Sequence, residues 1–156
     1  MRVIGNTDDV IDIRDVIENF EELEEAKEAF EEQIEEWREE LEDEESEEEK
    51  QKIMKKIEEW GEWHETDEGK EYIILEGLLD DLKGYGGDEQ WRGDWYPVTL
   101  IHTDHFTDYC KELVKDCGYI SDGFPWWIEV DWEKTADNMA HDYSLVDYDG
   151  EDYYYR

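Results

Sequence analysis

Proline and cysteine are scarce in this chain, bases are few, and no apolar run is long. Among 156 residues there are two prolines, two cysteines and fifteen Lys or Arg. No apolar run approaches the roughly 18 residues of a membrane span, and MRVIGNTDDVID at the N-terminus lacks the apolar core of a signal peptide. A cytosolic protein is therefore expected. Cys110 and Cys117 lie seven apart on an expected helix, roughly 10 Å along its axis, too far for an unstrained disulfide. Both are expected to be reduced, half-buried thiols. The shortage of bases argues against direct contact with nucleic acid or anionic lipid, because a strongly anionic surface repels both.

Catalytic signatures are also missing. The chain has no Gly-rich phosphate loop, no G-x-S-x-G elbow and no H-E-x-x-H, and its surplus of carboxylates makes any chosen acid pair uninformative. His102 and His105 flank Asp104, with Asp108 nearby, and H-x-D-H could in principle hold zinc. Two histidines without a second ligand pair point instead to a structural or surface role. Asp147, Asp149, Gly150 and Asp152 do not match the spacing of a calcium loop, and an Asp-Gly turn accounts for them. No catalytic residue, metal ligand or cofactor is assigned, and the chain is not expected to be an enzyme.

What is present is acid. Fifty Asp and Glu give a net charge of −35, a balance usually found in disordered chains, but eight Trp, ten Tyr and four Phe supply the buried surface such chains lack. Apolar positions at Val16, Phe20, Leu23, Phe30, Ile34, Trp37 and Leu41 follow a heptad seam interrupted at Lys27, with no Gly or Pro between Ile11 and Leu41. A helix of about thirty residues is expected there. After EDEES, Ser46 and Glu49 fit a capping box, and Ile53, Ile57, Trp60 and His64 continue the seam on a second helix. The two should fold as an antiparallel hairpin, its seam closing within one chain or between two copies of a homodimer.

Further along, Tyr72, Leu75, Leu79 and Leu82 mark a third helix, VTLI from Val98 a short strand, and Phe106, Tyr109, Leu113 and Cys117 a fourth helix begun near Thr103 or Asp104. Asp131 should cap a fifth helix, and SLVDYDGEDYYY reads as a hairpin around Asp149-Gly150. The expected fold is α+β: an acidic helical-hairpin arm over 1–64, then a small domain over 65–156 with a short C-terminal β-hairpin. Trp91, Arg92, Trp95 and Tyr96 in the glycine-rich loop, and Trp126 and Trp127 in DGFPWW, are read as covering the small core, with a partner-contact patch as the alternative.

Between Arg14 and His64 there are 23 acids and 7 bases, so a folded hairpin about 48 Å long carries about one net charge per 3 Å. Duplex DNA carries one per roughly 1.7 Å and each strand one per 3.4 Å. Residues 65–156 add 24 acids against 7 bases. Like charges three or four apart on a helix cost a few tenths of a kcal/mol per pair, and a basic DNA-binding groove would offset that cost. The candidate phosphate substitutes are Glu21, Glu25, Glu28, Glu32, Glu35, Glu36, Glu39 and Glu40 on the arm, extended by Asp131, Glu133, Asp137 and Asp147.

DHFTDYCKELVKDCGYI and WIEVDWEKTADNMAHDYSLVDYDGEDYYY, from about Asp104 to Arg156, resemble the C-terminal segment of the ArdA family of antirestriction proteins of phages, plasmids and transposons. The matching features are an acidic helix with an aromatic and Leu core, a helix start at Val130–Glu133 and the closing hairpin. The resemblance covers about a third of the chain. The whole chain also resembles uncharacterised phage proteins. What the resemblance implies is an elongated, often dimeric DNA mimic that fills the DNA groove of type I restriction-modification enzymes in the cytoplasm of a host bacterium. A charged hairpin stands in place of the family's usual N-terminal domains, so a CRISPR effector is the alternative target. An acidic coiled-coil scaffold or chaperone for basic proteins is the alternative of another class, and halophilic adaptation would explain the acids with no partner at all.

Overall fold

The computed structural model describes residues 3–83, 99–121 and 123–156. The glycine-rich loop with Trp91, Arg92, Trp95 and Tyr96, and Val98 at the expected strand start, lie outside the described residues. In chain order the main elements are β1 (Val10–Asp12), α1 (Ile13–Asp43), α2 (Glu47–Trp60), α3 (Asp67–Leu82), β2 (Thr99–His102), α4 (Phe106–Asp116), α5 (Trp132–Met139), β3 (Ser144–Tyr148) and β4 (Glu151–Tyr155). The fold is α+β, with a long N-terminal helix and a C-terminal β-hairpin.

The chain forms two compact units, Met1–Ile17 with Leu78–Arg156, and Glu18–Gly77. This differs from a division at residue 64. Two observations explain the difference: the N-terminus supplies a strand, β1, to the sheet, and the first turns of α3 pack on α1.

In the first unit the sheet is fully antiparallel in the order β1-β2-β4-β3. Its period-two alternation sends side chains to two faces. Ile101 and Tyr154, paired across β2 and β4, face a core built with Phe106, Cys110 and Ala136 of α4 and α5. Ile11, Leu100 and Tyr153 fall on the other face and are fully buried. The Tyr153 hydroxyl donates to the Asp8 carbonyl oxygen at 2.7 Å, and burial pushes the phenol's pKa above its ordinary value. The β3–β4 turn has positive φ at both Asp149 (48°) and Gly150 (86°), as a two-residue hairpin turn requires. Asn6 Nδ2 donates to the Asp149 carbonyl at 3.0 Å, tying the N-terminal segment to that turn.

Helix entries follow local chemistry. Asp12 ends β1 and starts α1: its carboxylate accepts the Arg14 N–H at 2.9 Å and holds the Arg14 guanidinium at 2.7 Å. Asp131 caps α5 as expected, accepting from Lys134 N at 3.1 Å. The entry to α4 is a 3-10 turn over Thr103–His105, and its cap is a histidine: His102 Nδ1 accepts from Asp104 N at 3.1 Å while Nε2 meets Glu151 Oε2 at 3.0 Å. His102 is therefore a structural residue, and no cluster of metal-ligating side chains occurs among the described residues.

The expected capping box at Ser46 does not form. Ser46 occupies the N-cap position of α2 without a side-chain bond; its N–H goes to Glu44 Oε1 at 2.9 Å, and Glu49 pairs with Lys52 at 2.9 Å. The thiols also differ from expectation, since Cys110 is buried in the core and Cys117 is exposed. Burial raises the Cys110 pKa, which suppresses its thiolate. One equivalent of a thiol reagent should react quickly with the folded protein, at Cys117; fast reaction of both would contradict this packing.

In the second unit α1 packs against a return leg of two helices. Trp60 of α2 stacks on Phe30 at 5.0 Å and meets Trp37 edge-on at 4.8 Å. Tyr72 of α3 stacks on Phe20 at 4.9 Å. As the return leg advances, its partners on α1 recede, so the packing is antiparallel. The seam's interruption is accounted for here: Lys27 Nζ lies 5.2 Å from the centroid of the Tyr72 ring, a cation–π contact. Between α2 and α3 the chain turns at Gly61 and through a 3-10 turn over Trp63–Glu65. Thr66 then caps α3, its hydroxyl donating to the Trp63 carbonyl at 2.6 Å and accepting from Gly69 N at 3.0 Å.

Candidate functional site

Helix α1 carries fifteen acids and three bases, a net −12, whereas α2 carries five acids and four bases, a net −1. The negative charge of the hairpin is thus concentrated on one helix. With 31 residues, α1 is roughly 46 Å long and bears about one carboxylate per 3 Å, close to the spacing of phosphates along one strand of DNA.

The seam residues Phe30, Ile34 and Trp37 turn toward the return leg, so residues half a turn away face solvent. Glu25, Glu28, Glu32, Glu36 and Glu39 occupy that opposite face at steps of three or four residues, roughly 4.5 to 6 Å along the axis. All five are exposed, as are Glu35 and Glu40; Glu21 is half-buried. No Lys or Arg falls on this outer face between Glu18 and Asp43. The bases of the hairpin sit elsewhere, and four of them pair with neighbouring acids on their own helices: Lys27 with Glu31 at 4.0 Å, Arg38 with Glu35 at 3.9 Å, Lys50 with Glu47 at 3.6 Å and Lys55 with Glu59 at 3.9 Å. Of the arm candidates, Glu35 pairs with Arg38, and Glu36 accepts from Gln33 Nε2 at 3.3 Å.

Near the hairpin tip, Glu36, Glu39 and Glu40 join Asp43 and Glu44 around a depression that also exposes the edge of Ile53. Asp43 and Glu44 belong with the candidates although they were not singled out in the sequence. Their signal was available, three and four residues beyond Glu40. The four C-terminal candidates lie in the other unit. Glu133 and Asp137 are exposed on α5 and Asp131 is exposed at its N-cap. Asp147 is exposed on β3, its Oδ1 accepting from Gly150 N at 3.3 Å. Two of these carboxylates, Asp131 and Asp147, therefore also have local structural work.

Comparison with protein-family models, with curated proteins and with solved structures finds no match for this chain. What the site can do is argued from its own chemistry. A row of exposed, unneutralised carboxylates on a rigid helix attracts cationic surfaces over about a Debye length and offers many weak contacts rather than one strong one. No helix among the described residues is long and apolar enough to cross a membrane.

The expected cover of the core by DGFPWW is not observed. Trp126 is 91% exposed and Trp127 67% exposed. The core of this unit is closed by α4 and α5 instead, chiefly through Phe106, Cys110 and Ala136.

Proposed function

We propose that this protein is a phage- or mobile-element-encoded, non-catalytic DNA mimic that occupies the nucleic-acid groove of a host defence enzyme, first of all a type I restriction-modification enzyme, in the bacterial cytoplasm. The observation that carries the reading is the outer face of α1, where a regular row of carboxylates runs without a single base. Generic solubility does not require such segregation, because acids and bases interspersed on one face serve it equally well and remove the repulsion. A groove lined with Lys and Arg at phosphate spacing does favour it. The resemblance of the C-terminal third to antirestriction proteins supports the choice of target.

The test is displacement. A type I restriction-modification enzyme bound to its labelled duplex is titrated with this protein at about 0.15 M salt, beside an unrelated DNA-binding protein as control. Release from the type I enzyme at stoichiometric amounts, with the control still bound, is the expected result. Release from both would favour a generic acidic scaffold. Release from neither would refute the type I target and move the titration to CRISPR effectors.

A further inference from the structure

The chain leaves α4 through Gly118, at φ 70°, and the described residues 118–121 and 123–128 include bends and tight turns. The last of these is closed by Ile128 N donating to the Pro125 carbonyl oxygen at 3.0 Å, which puts Trp126 and Trp127 at its two corners. Turn corners ordinarily hold Gly, Asn, Asp, Ser or Pro, residues whose backbone preferences suit the bend and whose side chains tolerate water. Two tryptophans there satisfy neither need. Both stand out in solvent, and Phe124 and Ile128 next to them in the chain are exposed, as is Tyr119 at 79%. A cluster of exposed apolar side chains this size on a chain rich in acids marks a contact surface, and Trp and Tyr dominate the energetics of such surfaces.

The identity of the occupant follows from charge. The segment is followed closely by the exposed carboxylates of Glu129, Asp131 and Glu133, within a chain of net −35. A second copy, an anionic membrane or nucleic acid would each be repelled, whereas a basic protein surface would be drawn in. We infer that the Pro125–Ile128 turn is a protein-recognition anchor, which seats Trp126 and Trp127 in an apolar recess of the same basic enzyme whose groove receives α1. This inference rests on the proposed function and adds selectivity to it. Carboxylates on α1 can satisfy any DNA-binding groove, but an apolar recess on the enzyme belongs to that enzyme and has no counterpart in DNA. Charge should set the association rate, and the aromatic anchor the lifetime of the complex.

The experiment is the same displacement titration on the type I enzyme, run with wild type, with Trp126→Ser plus Trp127→Ser, and with a variant neutralised on α1. Serine suits a turn corner and both tryptophans are exposed, so unchanged circular dichroism and melting are expected of the double variant. Its half-displacement concentration should rise at least tenfold through faster dissociation, while the slope of log affinity against log salt stays that of wild type. The α1 variant should show the opposite, a shallower salt slope. A double variant that displaces DNA as well as wild type overturns the anchor and leaves the mimicry standing. A wild-type dimer that the double substitution converts to monomer overturns it too, by showing that the patch binds a second copy. Failure of wild type itself to displace DNA removes the type I target and, with it, the anchor on that enzyme.

Discussion

Replacing Glu25, Glu28, Glu32, Glu36, Glu39 and Glu40 together with glutamine should weaken displacement of DNA roughly 100-fold and at the same time raise the melting temperature. Exposed charge pairs contribute about 0.5 kcal/mol each, so six lost contacts amount to about 3 kcal/mol. Single substitutions should therefore change little. The stability gain has the opposite sign because these acids repel one another at three- and four-residue separations on α1, at about 0.2–0.5 kcal/mol per pair, and glutamine keeps both side-chain volume and helix propensity. Glu35 is left in place because it pairs with Arg38. A gain in stability with a loss of binding is what a functional charge row implies. If neutralisation left displacement unchanged, the row would be only a solvated face. Thermal melting and the displacement titration, run on the same preparation, separate the outcomes.

The second large effect concerns two glycines eight residues apart on α3. A Cβ built at Gly69 would lie 1.9 Å from the carbonyl oxygen of Trp63 and 2.6 Å from its carbonyl carbon, both backbone atoms that no rotamer change can move aside. Gly69→Ala must therefore push α3 away from the Trp63–Glu65 turn, and should cost about 3 kcal/mol, at the upper end for overpacking. Gly77, exposed within the same helix, has nothing within 4 Å of its would-be Cβ. Gly77→Ala should instead stabilise by about 0.5–1 kcal/mol, because alanine loses less backbone entropy on forming helix. Melting curves should move in opposite directions, with a change in tryptophan fluorescence for Gly69→Ala alone, since Trp63 packs on Phe30 at 5.7 Å. Equal effects at the two positions would contradict the close approach at Gly69.

The elements that were legible in the sequence are those with local signals. The heptad spacing from Val16 to Leu41 gave α1, Asp131 gave the cap of α5, and Asp149-Gly150 gave the β3–β4 turn. The outer face of α1 was legible for the same reason, because the phase of the seam also fixes which glutamates face away from it.

Elements that depend on distant partners were not legible. Strand β1 is three residues long and exists through its pairing with β2, some ninety residues away. Lys27 reads as a break in a seam until Tyr72 of α3 is brought over it. His102 is an uncommon helix cap, stabilised by Glu151 from a strand near the C-terminus. At Ser46 two glutamates competed for the cap role, and the ion pair of Glu49 with Lys52 decided between them. Tryptophan count led to a core assignment for Trp126 and Trp127, but composition carries no information on which aromatics a turn holds out in water.

The central claim, that this protein and DNA compete for one groove, is tested most directly by the affinity of the protein for the type I enzyme measured at increasing concentrations of cognate duplex. Competition for one groove predicts an apparent Kd that rises linearly with free duplex, with the enzyme never holding both. An apparent Kd independent of duplex concentration, with protein and DNA bound together, would contradict it.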